Sequence, residues 1–314
     1  RELVKRQLEQ LSDGLKSTGD PDHIKSARRL LSASKVNSVL TLIQSDDELL
    51  MEVCDFDVMP GLLNLQNGTL DLTTFELCDH NPENKLTKKA NVAYDESAKC
   101  PSFEKLMDEI LPQKHQDFVM RYLGYSLLGR PSEQVFLILF GRGANGKSTL
   151  LNIVEYILGN YAAHVDPSSI IKQKNSGIRN DLARLNGVHL TVTSELAIGQ
   201  ILDAPMVKQF TGGDLITARF LYKEPIEFKP KFSLVMGTNV LPVIDGSDAA
   251  LARRVLLVPF SNIIPEERRD SKLGEKLEME ASGILNALLK GLRQYEEIGL
   301  AVPDDLKRER DGFV

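Results

Sequence analysis

The spacing of apolar positions changes along the chain, and each change predicts a different kind of element. Near the N-terminus they recur every three or four residues, as at Ile24, Ala27 and Leu31, which predicts amphipathic helices. Gly-Asp-Pro at residues 19–21 is predicted to end the first helix. Basic residues outnumber acidic ones over residues 1–35, and either a solvated helix face or a DNA contact would account for that excess.

The next stretch alternates between apolar and polar positions, which is the period of a β-strand. Two alternating runs, residues 63–65 and 70–72, flank Asn67-Gly68. Asn-Gly between such runs predicts a hairpin, because both residues tolerate a positive φ. Residues 71–77 predict a further strand after a turn.

Helical spacing returns from residue 102, and continuous apolar runs follow from residue 135 onward. These runs occupy residues 135–140, 189–193, 232–236 and 255–258. Such runs are typical of strands that are buried on both faces, and strands separated by helices or long connections predict an α/β fold with a parallel sheet. Helices are predicted over residues 147–158 and 271–298, whereas the charged residues 304–311 are expected to fray.

Composition and charge narrow the classes of protein. The 314 residues carry a net charge of −6, which excludes a globally basic nucleic-acid binder but not a local basic patch. Three widely spaced cysteines argue against a disulfide framework and a Cys-rich zinc site, and they predict a reducing, cytoplasm-like compartment. No apolar run reaches the roughly 18 residues that a membrane span needs. The chain begins at Arg1 without an initiator methionine, so a fragment or a processed form is expected.

A glycine-rich sequence directly follows the first buried run. Residues 141–148 match G-x-x-x-x-G-K-[ST] between a predicted strand and a predicted helix, which is the context that a phosphate-binding loop requires. Lys147 is predicted to pair with the β and γ phosphates, Ser148 to bind Mg²⁺, and Thr149 to donate a further hydrogen bond. The predicted nucleotide contacts are Gly141, Arg142, Gly143, Ala144, Asn145, Gly146, Lys147, Ser148 and Thr149.

Polar residues follow two of the predicted strands and precede a third. Glu195 comes directly after the second run and is predicted to activate the attacking water or to hold Mg²⁺, while Ser194 occupies the position where an Asp is usual. Asn239 lies after the third run, where it would orient the hydrolytic water. Arg253 and Arg254 precede the fourth run, and an arginine there would neutralise charge in phosphoryl transfer; a solvated or salt-bridged pair is the alternative.

A basic segment separates Glu195 from Asn239. Residues 169–232 contain nine Lys and Arg against six Asp and Glu, a local excess of +3 in an acidic chain. Two β-prone runs flank Lys223, which predicts a hairpin with Lys223 at its tip and a contact to a phosphate backbone. We also predict DNA contacts for Arg219 and Lys208, with an ordinary surface hairpin as the alternative.

The motifs taken together resemble the phage and plasmid primase-helicase family, with its poxvirus-type relatives, among the superfamily 3 helicases of the AAA+ class. The segments that carry the resemblance are residues 63–72, 122–125, 141–149, 194–196, 208–214, 218–223, 237–242 and 252–254. The resemblance implies a P-loop AAA+ ATPase core with a parallel sheet, preceded by a small mixed helical and β-hairpin accessory domain. It divides the chain into an accessory region over residues 1–128, an ATPase domain over residues 129–262 and a C-terminal helical segment over residues 263–314.

The same resemblance implies a function. Such proteins form homo-oligomeric rings, expected here to be hexamers, hydrolyse ATP with Mg²⁺ between subunits, and move along single-stranded DNA with 3′-to-5′ polarity during replication of a mobile element. Arg253 or Arg254 would then act on the ATP of a neighbouring subunit, and the Lys223 hairpin would point into the pore. The family often carries a primase or polymerase module upstream, and it acts in the cytoplasm of the bacterial or archaeal host.

Two other classes of function share the phosphate loop. A small-molecule kinase would use the phosphate loop, but it would not need Asn239 at the edge of the sheet, the arginine pair or a basic hairpin. A replication scaffold would bind ATP only in order to assemble. Stimulation of ATP hydrolysis by DNA separates a helicase from a kinase, and any measurable hydrolysis separates it from a scaffold.

Overall fold

The described residues of the computed structural model are 2–46, 55–173, 182–220, 224–244 and 248–313. The chain divides into two compact units, Arg1–Phe56 and Asp57–Val314. The domain limits that we predict near residues 128 and 262 stay predictions.

The described part of the first unit is helical. Its helices are α1 (Glu2–Ser17), α2 (Pro21–Leu30) and α3 (Ala33–Gln44). The predicted break between the first two is confirmed: Asp20 accepts a hydrogen bond from the Asp22 N–H at 2.8 Å and caps α2, and Pro21 lies in its first turn. The Ser12 hydroxyl donates to the Ala27 carbonyl at 3.2 Å, which ties α1 to α2.

The second unit begins with a small antiparallel sheet in the order β1-β2-β3. Its strands are β1 (Leu62–Asn64), β2 (Thr69–Asp71) and β3 (Leu77–Cys78). The predicted hairpin at Asn67-Gly68 is confirmed, with the Leu65 N–H donating to the Gly68 carbonyl at 2.8 Å. A Cβ atom at Gly68 would lie 2.5 Å from the Cys78 carbonyl oxygen, so only glycine fits this position.

The strand that we predict over residues 71–77 is wrong for most of its length. Residues 72–74 form a turn instead. The Asp71 carboxylate accepts hydrogen bonds from the N–H groups of Thr73 at 2.7 Å and Thr74 at 3.3 Å. An aspartate that binds the backbone two residues ahead favours a turn, and here this outweighs the apolar alternation.

A five-stranded parallel sheet forms the centre of the second unit, in the order β10-β4-β9-β6-β5. The strands that follow β3 are β4 (Phe136–Phe140), β5 (Ala162–Val165), β6 (Leu190–Ser194), β7 (Ile216–Ala218), β8 (Ile226–Phe228), β9 (Ser233–Thr238) and β10 (Val255–Pro259). All four predicted buried runs become strands of this sheet. We did not predict β5, because it lies at the sheet edge and only Val165 of it is buried.

Helices cover the sheet. They are α4 (Pro101–Ile110), α5 (Gln113–Ser126), α6 (Lys147–Leu158), α7 (Ala204–Gly212), α8 (Ala249–Ala252), α9 (Leu273–Met279), α10 (Ala281–Ile298) and α11 (Asp304–Phe313). Helices α5 and α10 approach closely, since a Cβ atom at Gly124 would overlap the Leu292 nitrogen. The buried Tyr122 hydroxyl donates to the Leu234 carbonyl at 2.9 Å, so α5 is also tied to the sheet.

The expectation that the charged tail frays is wrong. Residues 304–313 form α11, and the Asp305 carboxylate accepts hydrogen bonds from Lys114 Nζ at 2.5 Å and from His115 Nε2 at 2.8 Å. Leu306 is buried in the core of the unit. Asp305 therefore holds α11 against α5 by pairing with side chains of α5. His115 and Asp305 are 190 positions apart in the sequence.

Acid should weaken this docking. Hydrogen bonding from Lys114 holds the pKa of Asp305 well below its usual value of about 3.9. A carboxylate whose pKa is lower in the folded state than in the unfolded state stabilises the fold. This stabilisation is complete at pH values above the unfolded-state pKa, and it is lost as the pH falls through the folded-state pKa. Asp305→Asn should lower the free energy of unfolding by at most about 1 kcal/mol at pH 7, and by less at pH 3.

Urea unfolding at both pH values measures this effect. Asp304→Asn is the control, because Asp304 is paired with Lys307 inside α11 itself and does not hold the helix to α5. Equal losses of stability in the two variants would contradict the docking role of Asp305.

Candidate nucleotide-binding site

The predicted phosphate loop lies between β4 and α6, where the motif requires it. Gly146 has a φ of +77° and Ala144 a φ of +62°, a region that residues with a Cβ atom rarely adopt. A Cβ atom at Gly141 would overlap the Phe260 carbonyl oxygen. Arg142, Gly143, Ala144 and Ser148 are exposed, so the loop presents its outer side to a ligand.

The Lys147 side chain is buried inside this loop, with 5% of its surface exposed. Its ammonium donates hydrogen bonds to the Gly141 carbonyl at 2.6 Å, to Asn145 Oδ1 at 2.9 Å and to Asn239 Oδ1 at 3.1 Å. Burial lowers the pKa of Lys147. These three partners are neutral oxygens, so an anionic phosphate would supply the counter-charge that they do not.

Asn239 lies where the sequence predicts it, directly after β9 at the carboxyl edge of the sheet. Its side chain is exposed and its amide oxygen accepts the Lys147 hydrogen bond. The fold thus joins two predicted site residues that are 92 positions apart.

Glu195 follows β6 at the same sheet edge. It is exposed and has a φ of +45°, while its N–H donates to the Gly237 carbonyl at 3.1 Å. A residue with a side chain rarely holds a positive φ unless its surroundings fix it, and such strain is common at functional sites. The strained backbone places Glu195 on the wall of the cavity that contains the loop.

A cavity of about 420 Å³ opens above the loop. Its walls include the loop itself, Ser194, Glu195 and Asn239, together with Glu155 and His164. The sequence analysis missed the last two, since Glu155 lies inside a helix and His164 lies on the strand that we did not predict. A histidine and a glutamate this far from any motif carry no local signal.

A second cavity of about 620 Å³ borders the same loop. The two cavities share Ala144, Gly146, Thr149 and Asn152. Apolar side chains from α4, α6, α9 and the segment after β10 line the second one together with charged residues; the apolar ones are Leu106, Ile153, Ile264, Leu273 and Leu277. The predicted phosphate loop therefore borders both a smaller cavity and a larger, more apolar one.

The polar cavity suits Mg²⁺. Ser148 and Glu195 both line it and offer a hydroxyl and a carboxylate oxygen. Mg²⁺ prefers oxygen ligands and is usually held by one or two carboxylates together with the phosphates of its nucleotide. Among the described residues no group of three or more His, Cys, Asp or Glu could hold a metal by itself.

The two predicted arginines differ in their surroundings. Arg254 is buried, and its guanidinium donates to the Gln134 carbonyl at 3.0 Å and to Thr211 Oγ1 at 3.1 Å. Arg253 is exposed. Neither lines the two cavities above. The geometry gives Arg254 partners within its own chain and leaves Arg253 as the arginine that a neighbouring molecule could reach.

The predicted DNA-binding residues are only partly brought together. Strands β7 and β8 form the predicted antiparallel hairpin, with Ala218 opposite Ile226. Arg219 is exposed at the end of β7, whereas the predicted tip, Lys223, lies outside the described residues. Lys208 lies on α7 and forms an ion pair with Asp248 at 2.6 Å. Its assignment as a DNA contact stays a prediction.

Two further sequence-based expectations can be compared with the structure. Cys78 is an exposed free thiol, Cys100 is a buried one, and Cys54 lies outside the described residues. In the part of the chain that the structure describes, no helix is both long and apolar enough to cross a bilayer.

Sheet order, loop and strand-end residues together define a P-loop α/β core of the AAA+ type. The family described as "D5 N terminal like" matches residues 3–112, and a family of unknown function, DUF5906, matches residues 139–254. These matches and the names of the viral relatives below support the phage and viral primase-helicase family, in agreement with the resemblance in the motifs.

Several similar proteins come from large DNA viruses. A protein of Acanthamoeba polyphaga mimivirus, named a "putative helicase", is 31% identical over an alignment of 268 residues, and the match covers 77% of this chain and 28% of that protein. A "putative helicase" of Frog virus 3 is 34% identical over 46% of this chain and 16% of its own length. A "putative primase" of African swine fever virus is 25% identical over 63% of this chain and 22% of its own length. The chain thus spans less than a third of each of these relatives.

A solved structure has a similar fold. The apo structure of the NrS-1 C-terminal region has a TM-score of 0.52 and 15% sequence identity, and the match covers 70% of this chain and 54% of that one. At this identity the likeness concerns the fold alone, and it agrees with the predicted fold class.

Proposed function

We propose that this chain is the ATP-hydrolysing motor segment of a replication helicase that assembles as a homo-oligomeric ring and moves along single-stranded DNA. The observation that carries the proposal is the buried Lys147 ammonium, which neutral oxygens of three described residues hold and which lines a cavity that Glu195 and Asn239 also line. The names of the viral relatives support a replication role of the helicase or primase kind.

The residues of the site have distinct roles in this proposal. The nucleoside part of ATP occupies the larger cavity and its phosphates occupy the polar one, since the two cavities meet at the loop. The loop N–H groups and Lys147 would bind the β and γ phosphates, and Ser148 would hold Mg²⁺, which would neutralise phosphate charge. Asn239 would orient the attacking water, and Glu195 would either accept the proton of that water or help to hold Mg²⁺.

Assembly into a ring would complete the site. Arg253 is exposed and does not line the cavities of its own chain. In a head-to-tail ring each subunit presents one surface to the nucleotide of the next, so an exposed arginine can act in trans. Ring size, expected to be six, and a primase module elsewhere in the full protein belong to the same proposal.

DNA binding is assigned to the β7–β8 hairpin. Lys223→Ala should weaken single-stranded DNA binding for all sequences, because an ammonium contacts phosphates and makes no demand on base identity. Each lost contact should reduce the log–log salt slope by about 0.7. DNA affinity at several salt concentrations measures both quantities, and basal ATP hydrolysis should be preserved.

A matched control for this experiment is Lys290→Ala, which removes an exposed lysine on α10. Unchanged affinity and slope in Lys223→Ala would remove the hairpin from the DNA path. The basic face of the first unit, with Lys25, Arg28 and Arg29, would then be the better candidate.

One experiment separates the proposed function from its alternatives. ATP hydrolysis is measured with and without single-stranded DNA, and the mass of the assembly is measured in the same buffer. Stimulation by DNA together with a ring-sized mass supports the helicase. Hydrolysis that DNA does not change favours the kinase alternative, and binding of ATP without hydrolysis favours the scaffold.

A further inference from the structure

A polar cluster that extends beyond the sequence motifs lies on the wall of the phosphate cavity. It consists of Glu155 on α6, His164 on β5 and Ser194 at the end of β6. His164 Nε2 lies 3.2 Å from Ser194 Oγ, and His164 Nδ1 lies 3.5 Å from Glu155 Oε1. The imidazole therefore bridges a hydroxyl and a carboxylate.

The fold explains why these three side chains meet. His164 pairs with Val192 in the sheet register, and Ser194, two residues further along β6, points to the same face as Val192. That face is covered by α6, because a Cβ atom at Gly237, the register partner of Ser194, would lie 2.8 Å from Leu151 Cδ1. Glu155 lies about two helical turns after Ser148, so α6 carries both to the same cavity.

One tautomer of His164 suits the Ser194 hydroxyl as an oxygen acceptor toward the cavity. A carboxylate only accepts, so a proton on His164 Nδ1 would face Glu155, and Nε2 would then accept from the Ser194 O–H. In this tautomer, which the inference uses, the lone pairs of Ser194 Oγ are left for the cavity. Hydrogen bonds in such a chain polarise one another, which makes the Ser194 oxygen a stronger acceptor than an isolated hydroxyl.

The position of Ser194 in the fold indicates what the cluster could do. Ser194 occupies the strand end that commonly carries an aspartate in phosphate-loop proteins, next to Glu195 and in the same cavity as Ser148. We propose that Glu155 and His164 position the Ser194 hydroxyl as an oxygen acceptor for the water shell of the Mg²⁺ that enters with the nucleotide, in place of that aspartate. This inference rests on the proposed function. His164 and Glu155 are positioning residues, because they act through Ser194.

The test measures binding rather than turnover. A fluorescent ATP analogue is titrated into the intact chain with Mg²⁺ and again with EDTA. Ser194→Ala and His164→Ala should each weaken binding in Mg²⁺ about tenfold, the lower end of what is lost when the partner of a metal-site group is removed. Binding in EDTA should stay at the wild-type value, and the double variant should be no weaker than either single variant.

A rescue variant sharpens the test. If the cluster replaces a carboxylate, Ser194→Asp should restore tight Mg²⁺-dependent binding in the His164→Ala background. His80→Ala is the matched control, because His80 is an exposed histidine outside both cavities. Thermal unfolding checks each variant, and Ser194→Ala, which removes a single oxygen, keeps the test decisive should His164→Ala fold poorly.

The outcomes are distinguishable. Equal losses in Mg²⁺ and EDTA, losses that multiply in the double variant, or no loss at all would overturn the positioning role while leaving nucleotide binding intact. A wild-type chain that binds no ATP analogue in Mg²⁺ would instead overturn the proposed function itself.

Discussion

Lys147→Ala should reduce ATP hydrolysis at least about a hundredfold, since it removes the preorganised charge at the phosphates. The ammonium is buried, and its partners among the described residues are neutral oxygens of Gly141, Asn145 and Asn239. Its removal therefore breaks no ion pair with a described residue, and the variant should keep the fold. The hydrolysis rate is measured beside circular dichroism and the unfolding temperature.

The control for this variant is Lys290→Ala, which removes an exposed lysine from α10. It should hydrolyse ATP at the wild-type rate. A folded Lys147→Ala protein with wild-type hydrolysis would refute the assignment of the loop. A Lys147→Ala protein that fails to fold would show that the lysine is needed for the loop itself, and Lys147→Met, which keeps most of the side-chain length, would then replace it.

Arg253→Ala should lower hydrolysis by about a thousandfold or more, the range known for arginines that act on a transferring phosphoryl group. Binding of ATP should survive, because Arg253 does not line the cavities of its own chain. Mixing Arg253→Ala with Lys147→Ala subunits should recover activity, since about a quarter of the interfaces in an equal random mixture are intact on both sides. Hydrolysis by mixed rings, verified by mass, measures this recovery.

Arg254→Ala provides the contrast. Arg254 is buried and bonded to Gln134 and Thr211, so its loss should lower the unfolding temperature, and mixing should not restore what is lost. Mixed rings of Arg253→Ala and Lys147→Ala without any recovery would argue against action in trans. Recovery in mixtures of Arg254→Ala and Lys147→Ala subunits instead would show that Arg254, and not Arg253, acts in trans.

Much of the fold was predictable because its signals are local. A continuous apolar run such as residues 135–140 is typical of a strand buried on both faces, and the glycine-rich loop after it is expected between a strand and a helix. The Asn67-Gly68 hairpin likewise follows from the conformations that two adjacent residues tolerate. Where a local signal misled, as over residues 71–77, a competing local bond from Asp71 decided the conformation.

The amino-acid sequence by itself determined the parallel α/β core, the phosphate loop, the strand-end positions of Glu195 and Asn239, and the family. Only the tertiary structure decided that Lys147 contacts Asn239, that Arg254 is buried while Arg253 is exposed, and that His164 lies between Glu155 and Ser194. The physical reason is that most of these relations join side chains between 30 and 120 positions apart. Periodicity reports which face of an element is buried, but the pairing of strands and the packing of helices on them set which polar side chains meet.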